Sequence, residues 1–174
     1  GLDHFVDLVA DAGVNVVYLH ARKAWLKGLS PKENREIPPL DYDRARRLAA
    51  RRTDLSIILN GGLETAEQIN AEAGNFVGVM LGRAAYRKPY LLTAIAKDFF
   101  AIPPPSRCQV AQAMADYADC MTKQQVPLHS ITRHMLGLYA GQRGARHWRR
   151  RLGEQARLAD YAGTFIRKAC QECE

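Results

Sequence analysis

The sequence predicts an α/β protein in which parallel strands are followed by a helical region. Up to residue 101, short apolar runs rich in β-branched residues alternate with amphipathic stretches, and this strand-helix order implies parallel pairing. After residue 106, apolar residues recur at helical spacing and no strand candidate remains. The Ile-Pro-Pro-Pro-Ser run at 102–106 continues neither a helix nor a central strand, and it predicts a stiff linker. We therefore predict regions at 1–101, 102–106 and 107–174.

Each predicted element depends on a local pattern. The apolar runs show little polar alternation, as strands buried on both faces do, and predict strands at 14–20, 56–60 and 76–81. Amphipathic spacing predicts helices at 43–52 and 65–73. After the linker, Pro127 and a glycine-rich stretch at 137–144 separate further helices. A complete (β/α)8 barrel needs about 250 residues, so the first region is either a small open sheet or the second half of a barrel.

Composition excludes several classes of protein. The 174 residues are 47% hydrophobic and 25% charged, which argues against general disorder, a coiled coil or a collagen-like repeat. The longest apolar runs are far shorter than the roughly 20 residues that span a bilayer, so we expect no membrane association. The chain shows no secretory signal and has four cysteines, which favours a cytoplasmic location. Because it begins with Gly rather than Met, we expect a fragment or a processed chain.

Positive charge is concentrated in the helical region. From Cys120 to Gly153 there is no carboxylate, but there are seven basic residues: Lys123, Arg133, Arg143, Arg146, Arg149, Arg150 and Arg151. A solvated surface normally carries both signs, whereas Arg matches phosphate geometry bidentately. Tyr139, His147 and Trp148 are candidates for stacking on bases. The segment predicts contact with RNA or DNA, and an ordinary basic surface is the alternative.

Polar residues and glycines follow the predicted strands. His20 ends the first strand, Asn60-Gly61-Gly62 ends the second, and Gly82-Arg83 follows the third. In parallel α/β folds, ligands bind at this edge of the sheet, where glycines let backbone N–H groups approach phosphate and Arg adds charge. We predict a phosphate site here. The alternative is that the glycines only make tight turns and that His20 is a structural hydrogen-bonding group.

Two further features carry weaker predictions. The loop at 24–42 is longer than the usual connection and contains basic residues and a tryptophan, which favours contact with an anionic polymer or substrate. Cys170-Gln-Glu-Cys173 is a CxxC pair without a second pair or a strand-to-helix turn before it. We predict two ordinary thiols at a frayed helix end and no metal site there.

Several of these segments together resemble the tRNA-dihydrouridine synthases of subfamily A. The run from His20 to Tyr42 is similar to the central motif of that family. The segments Asn60-Gly61-Gly62, 78–86, 129–139 and 144–150 resemble the same family, so the resemblance covers nearly the whole chain.

The resemblance implies the C-terminal half of a (β/α)8 TIM barrel followed by a small all-helical tRNA-binding domain. It implies an oxidoreductase that uses FMN and NADPH to reduce uridine to 5,6-dihydrouridine at positions 20 and 20a of the tRNA D loop, with no stable protein partner. The family's FMN positions fall on His20, Asn60, Gly61, Gly62, Gly82 and Arg83. Its tRNA contacts fall on Lys32, Arg35, Arg146 and Arg149.

One departure from the family pattern concerns the general acid, a cysteine in a Gly-Cys-Pro motif. None of the four cysteines here precedes a proline, so we expect that this chain lacks the catalytic residue and is inactive alone. A non-enzymatic tRNA-binding remnant of such an enzyme is the alternative. A different flavin or phosphate-binding barrel enzyme, acting on a small molecule, leaves the basic helical segment unexplained.

Overall fold

The chain folds into two compact units, Gly1–Gly82 and Arg83–Glu174. The structure, a computed structural model, describes residues 1–25, 27–156 and 161–173. Within these ranges no helix combines the length and the apolar character needed to cross a bilayer. The α/β content with a small parallel sheet agrees with the predicted class.

The first unit alternates helices and strands. Its elements are α1 (Leu2–Asp11), β1 (Val16–His20), α2 (Tyr42–Arg51), β2 (Ser56–Asn60), α3 (Ala66–Ala73) and β3 (Gly78–Met80), with a 3-10 turn at Glu33–Arg35. All three predicted strands are confirmed, the first and third with shorter bounds. They form one parallel sheet in the order β1-β2-β3. The helix α1 was not predicted from the sequence.

The two faces of this sheet differ in burial. One face is buried and is formed by Leu19, Ile57 and Leu59. Their neighbours along each strand are exposed or half-buried. On the other face, Val16 and Tyr18 are exposed, and Tyr18 keeps 63% of its surface. Parallel sheets are normally covered on both faces, so this sheet presents a face that is uncovered by the described residues.

Local capping explains where the helices of the first unit begin. The carboxylate of Asp41 accepts a hydrogen bond from the backbone of Arg44 at the start of α2. At α3, Thr65 and Gln68 exchange side-chain to backbone hydrogen bonds as a capping box. These caps satisfy N–H groups that have no partner within the helix. The two helices are tied together by an ion pair between Arg46 of α2 and the buried Glu72 of α3.

The second unit is helical in its described residues, 83–156 and 161–173. It contains α4 (Arg83–Arg87), α5 (Leu91–Phe100), α6 (Arg107–Lys123), α7 (Leu128–Thr132), α8 (Ala145–Arg150), a π-helical turn (Arg151–Gln155) and α9 (Ala162–Gln171). Its core is built on small residues of α6 and α9, which let the helices approach closely, and on the fully buried ring of Trp148. The segment 107–123, where apolar residues recur at helical spacing, is the longest helix.

The proline-rich segment lies between α5 and α6. Residues 102–106 are all exposed. The helix α5 ends where Ala101 takes a left-handed conformation with φ 54°, and α6 begins with a capping box between Ser106 and Gln109. The compact units divide between Gly82 and Arg83 instead, so 102–106 lies inside the second unit. The division of function at this segment stays a prediction.

A buried hydroxyl provides a test of the second unit's core. Thr132 is fully buried and its Oγ1 donates to the carbonyl of Leu152, 3.0 Å away. Thr132→Val keeps the shape but leaves that carbonyl without its donor, so we expect the free energy of unfolding to fall by about 1–2 kcal/mol. Urea denaturation followed by circular dichroism measures this. Thr164→Val, on the exposed side of α9, is the matched control and should change stability by less than about 0.5 kcal/mol. Equal effects of the two substitutions would contradict the prediction.

Candidate functional site

The strand ends bring predicted site residues into one row. In the register of the sheet, His20 lies opposite Asn60, and Asn60 lies opposite Met80. The backbone of Ala21 donates to the carbonyl of Asn60 over 2.8 Å, which continues the pairing one step past β1. His20 and Asn60 therefore meet at the carboxyl edge of the sheet, with Gly61 and Gly62 directly after them.

The glycine pair is needed for both conformation and space. Gly61 and Gly62 have φ of 110° and 71°, which side chains rarely adopt. A Cβ on Gly61 would lie 2.9 Å from Cε1 of His20, and one on Gly62 would overlap the side chain of Leu40. The Tyr42 hydroxyl donates to the Gly61 carbonyl over 2.7 Å. The turn is thus packed between His20, Leu40 and Tyr42. The sequence did not mark Leu40 and Tyr42 as part of the site.

Burial fixes the role of Tyr42 as a donor. Loss of solvation raises the pKa of the Tyr42 hydroxyl above its ordinary value, with a further contribution from the charge of Glu72. The hydroxyl therefore remains protonated at neutral pH and keeps its hydrogen bond to Gly61.

His20 has a defined tautomer when it is neutral. The backbone N–H of Arg22 donates to Nδ1 of His20 over 3.2 Å, so the ring hydrogen is carried by Nε2. The ring is exposed and lines a cavity of about 460 Å³ together with Arg22, Trp25 and Arg44. An N–H donor therefore stands at the end of β1, where the sequence predicted a ligand.

Arg22 holds the long loop that follows β1. Its guanidinium donates to the carbonyls of Glu36, over 3.0 Å, and of Pro38. Its backbone forms an antiparallel bridge with Leu40. The returning end of the loop is therefore fixed beside the strand end. The bridge between Arg22 and Leu40 also explains how Leu40 and Tyr42 reach the glycine turn.

The rest of this loop is organised by its own side chains. Trp25 and Asn34 exchange two hydrogen bonds of 2.9 Å. The hydroxyl of Ser30 donates to Glu33 over 2.6 Å and lowers the pKa of that carboxyl. The residues predicted to contact tRNA, Lys32 and Arg35, are both exposed on this loop.

Gly82 and Arg83 are the remaining residues that were predicted to bind phosphate. Gly82 closely follows β3 and is exposed, with no described atom within 4 Å of a Cβ built on it. Arg83 begins α4 and the second unit. The structure brings His20, Asn60, Gly61 and Gly62 together, while the approach of Arg83 to them stays a prediction.

A second candidate site is a basic cleft of about 750 Å³ in the second unit. It is lined by Gly144, Arg146, His147, Arg149, Arg150 and Glu154. Arg146 and Arg149 are exposed and three residues apart on α8, which places them on the same side of the helix. The cleft therefore contains both arginines that were predicted to contact tRNA in this region.

One carboxylate that the sequence did not mark lies beside this cleft. Oε2 of Glu172 lies 2.7 Å from Nε2 of His147 and 3.2 Å from Nε of Arg151. The hydrogen bond from His147 lowers the pKa of Glu172, and the nearby charge of Arg151 adds to this. Glu172 thus joins the end of α9 to α8. Because the partners are far apart in the chain, no local pattern could have revealed the contact.

The prediction that Tyr139 and Trp148 stack on bases is wrong. They are only 4% and 0% exposed, and their rings pack against each other at 4.9 Å in the core. The indole N–H of Trp148 donates to the carbonyl of Met135 over 2.8 Å. Burial of these large rings stabilises the helical unit and removes them from any ligand. His147, the third candidate, is engaged by Glu172.

The interpretation of the CxxC pair as a frayed end is also wrong. Cys170 and Cys173 are both buried, and Sγ of Cys170 lies 3.2 Å from the hydroxyl of Tyr139. All four cysteines are thiols. Among the residues that the structure describes, no group of three His, Cys, Asp or Glu side chains could hold a metal ion.

The glycine turn can be tested by adding one methyl group. Gly62→Ala would force a side chain into a left-handed conformation and against Leu40. We expect the free energy of local unfolding to fall by roughly 2–4 kcal/mol. Hydrogen exchange of the peptide containing β2 measures this. The control is Gly74→Ala, where the space is open and φ is −78°, and protection should be unchanged. Normal protection of β2 in the Gly62 variant would contradict the packing described here.

Comparison with known proteins identifies the family. The family model for dihydrouridine synthase (Dus) matches residues 2–173. A relative from Xanthomonas campestris pv. campestris is 43% identical over 170 residues, which are 98% of this chain and 51% of the relative. One from Shewanella oneidensis is 46% identical over 157 residues, 89% of this chain and 47% of the relative.

A relative from Synechocystis sp. is 41% identical over 172 residues, 98% of this chain and 52% of the relative. All three relatives are named tRNA-dihydrouridine(20/20a) synthase. This chain spans about half the length of the curated relatives it matches. Because the family model covers residues 2–173, the chain belongs to the dihydrouridine synthase family.

Proposed function

We propose that this chain supplies the FMN-binding edge and the tRNA-binding helices of an enzyme that reduces uridine in tRNA to 5,6-dihydrouridine at positions 20 and 20a. The observation that carries the proposal is the row of His20 and Asn60 at the carboxyl edge of a parallel sheet, followed by a glycine turn that tolerates no side chain. Family membership supplies the reaction class. A tRNA substrate would place this activity in the cytoplasm.

The fold proposed for the first unit is the C-terminal half of a (β/α)8 TIM barrel. Its strands follow one another in the order β1-β2-β3, and right-handed crossovers then place α2 and α3 on the same face of the sheet. A doubly wound sheet reverses its strand order and has helices on both faces. The exposed Val16 and Tyr18 lie on the opposite face from the buried Leu19, as interior residues of an incomplete barrel would. The second unit would be the helical domain that follows the barrel.

The residues at the strand ends fit FMN. A phosphate needs backbone N–H groups that can be approached closely and a positive charge, which Gly61, Gly62, Gly82 and Arg83 would provide. His20, with its N–H on Nε2, and the amide of Asn60 are polar groups that could orient the ring system. Hydride transfer, with NADPH as the reductant and uracil as the acceptor, is the chemistry that a bound FMN would supply. The role of this chain's residues would be to bind and orient.

The proton that completes the reduction would come from a group outside this chain. The family's general acid is a cysteine before a proline, and none of the four cysteines here is in that position. Cys170 and Cys173 are in addition buried in the helical core. We therefore propose that the chain alone is inactive. A non-enzymatic tRNA-binding remnant is the second candidate, because the four predicted tRNA contacts are present while the acid motif is not.

The tRNA contacts are proposed at two places. Lys32 and Arg35 are exposed on the loop after β1. Arg146 and Arg149 are exposed at the basic cleft of the second unit. Phosphate groups would neutralise these charges and release counterions, which makes binding depend on salt.

Retention of flavin tests the cofactor proposal. After addition of FMN and desalting, we expect the purified chain to keep a flavin absorption band near a one-to-one ratio. Arg83→Ala should weaken FMN binding about tenfold, because it removes a charge-assisted contact to phosphate. Lys97→Ala, an exposed basic residue on α5, serves as the control and should bind FMN like the parent. Complete loss of flavin from the parent chain would favour the non-enzymatic alternative.

A salt titration tests the tRNA proposal. The double variant Arg146→Ala/Arg149→Ala removes two phosphate contacts, so the slope of log affinity against log salt should become shallower by about 1.5–2. Filter binding of a tRNA transcript over a range of salt measures it. Arg47→Ala/Lys97→Ala removes two exposed charges outside the proposed contacts and should leave the slope unchanged. If the first double variant also keeps the parent slope, the assignment of these arginines is wrong.

A further inference from the structure

We infer that Tyr86, Arg133 and His134 form a further RNA-contact site in the second unit, separate from the basic cleft. The ring of Tyr86 would stack on an unpaired base, and Arg133 would contact a phosphate. This inference rests on the proposed tRNA substrate. It adds Tyr86 and His134, which neither the sequence patterns nor the family resemblance assigned, to Arg133 of the basic segment.

The three side chains are connected by hydrogen bonds at the surface. The Tyr86 hydroxyl lies 2.9 Å from Nδ1 of His134, and the rings meet edge to face with centroids 5.7 Å apart. Nε of Arg133 donates to Nε2 of His134 over 3.0 Å. The neutral imidazole therefore carries its hydrogen on Nδ1 and donates it to Tyr86. The tyrosine hydroxyl keeps its own hydrogen for another acceptor.

Much of the Tyr86 side chain stays accessible beside the edge-to-face contact. Tyr86 retains 60% of its surface, and Arg133 and His134 are exposed as well. The aromatic rings that the sequence analysis first favoured, Tyr139 and Trp148, are buried instead. Stacking on an aromatic ring is a common way for proteins to bind unpaired bases. An exposed ring beside an arginine provides the two contacts that a nucleotide needs.

The backbone around the site is tightly packed. A Cβ on Gly137 would overlap the carbonyl group of Arg87 and lie 3.0 Å from Cδ of Pro89, so the turn after His134 contacts the end of α4 directly. The carbonyl of Met135, the residue after His134, accepts a hydrogen bond from the indole N–H of the buried Trp148. This packing fixes Tyr86 and His134 relative to each other. A rigid aromatic group loses little conformational entropy when it binds a ligand.

The charge around this site favours an anionic ligand such as RNA. Arg133 and His134 belong to the segment 120–153, which contains no carboxylate. Arg87 directly follows Tyr86. By contrast, Tyr117 is 49% exposed but follows Asp116, a carboxylate that is paired with Arg167 and offers no free positive charge to phosphate. Tyr117 is therefore a control: a tyrosine of similar exposure in the same unit, next to carboxylates that pair with Arg167.

Binding to two RNAs tests the inference with the whole chain. The probes are a tRNA transcript, which has unpaired loop bases, and an RNA duplex without unpaired bases. Tyr86→Ala should weaken tRNA binding about tenfold or more, should leave duplex binding unchanged, and should not alter the salt slope. Tyr86→Phe keeps the ring and should retain most of the affinity. Arg133→Gln should make the salt slope shallower by about one.

The control variant and three contrary results separate this inference from the proposed function. Tyr117→Ala should bind both RNAs like the parent. If Tyr86→Ala binds tRNA normally while Arg146→Ala/Arg149→Ala is weakened, the inference is wrong and the proposed function stands. If Tyr86→Ala weakens both RNAs equally, with a lower melting temperature, the contact only joins α4 to the following turn and the inference is also wrong. Failure of the parent chain to bind tRNA would overturn both proposals.

Discussion

The parallel register between β1 and β2 is the constraint on which the candidate cofactor site depends. It places His20 opposite Asn60, and the pairing continues to the glycine turn. A shift of one residue would turn every side chain of a strand to the other face and would bury His20 where Leu19 now lies. The register is specified because Leu19, Ile57 and Leu59 are buried. The row of residues proposed to bind the cofactor is thus fixed by buried apolar residues of the sheet.

The basic surface of the second unit depends in the same way on one buried ring. Trp148 lies between Arg146 and Arg149 on α8, is fully buried, and donates to the backbone of Met135. Because neighbouring residues of a helix point in different directions, burial of Trp148 turns both arginines toward solvent. Glu172 then holds His147 and Arg151 at the end of the same helix. The side chains proposed to bind phosphate are exposed because the core determines the orientation of α8.

Sequence patterns were informative where structure is local and failed where it depends on distant contacts. The strands and the helices α2 and α3 follow from apolar periodicity, and the strand-end positions of His20, Asn60 and Gly61 follow from their order along the chain. The roles of Leu40 and Tyr42 at the glycine turn depend on how a long loop folds back, which Arg22 decides. The burial of Tyr139 and Trp148 depends on helix packing, and composition counts an aromatic residue without showing which way it points. Glu172 is distant in sequence from both of its partners.

The strand order of the sheet bears on the two architectures that the sequence left open, an open sheet and part of a barrel. An open doubly wound sheet covers both faces with helices because its strand order reverses. Here the three strands advance in one direction, so crossovers of the usual right hand would leave α2 and α3 on one face. That leaves Val16 and Tyr18 exposed on the opposite face, and β1 and β3 form the two edges. Apolar residues on a parallel sheet are normally buried, and closure with further strands buries them while removing both edges. The uncovered face of this sheet supports the proposal that the first unit is part of a barrel.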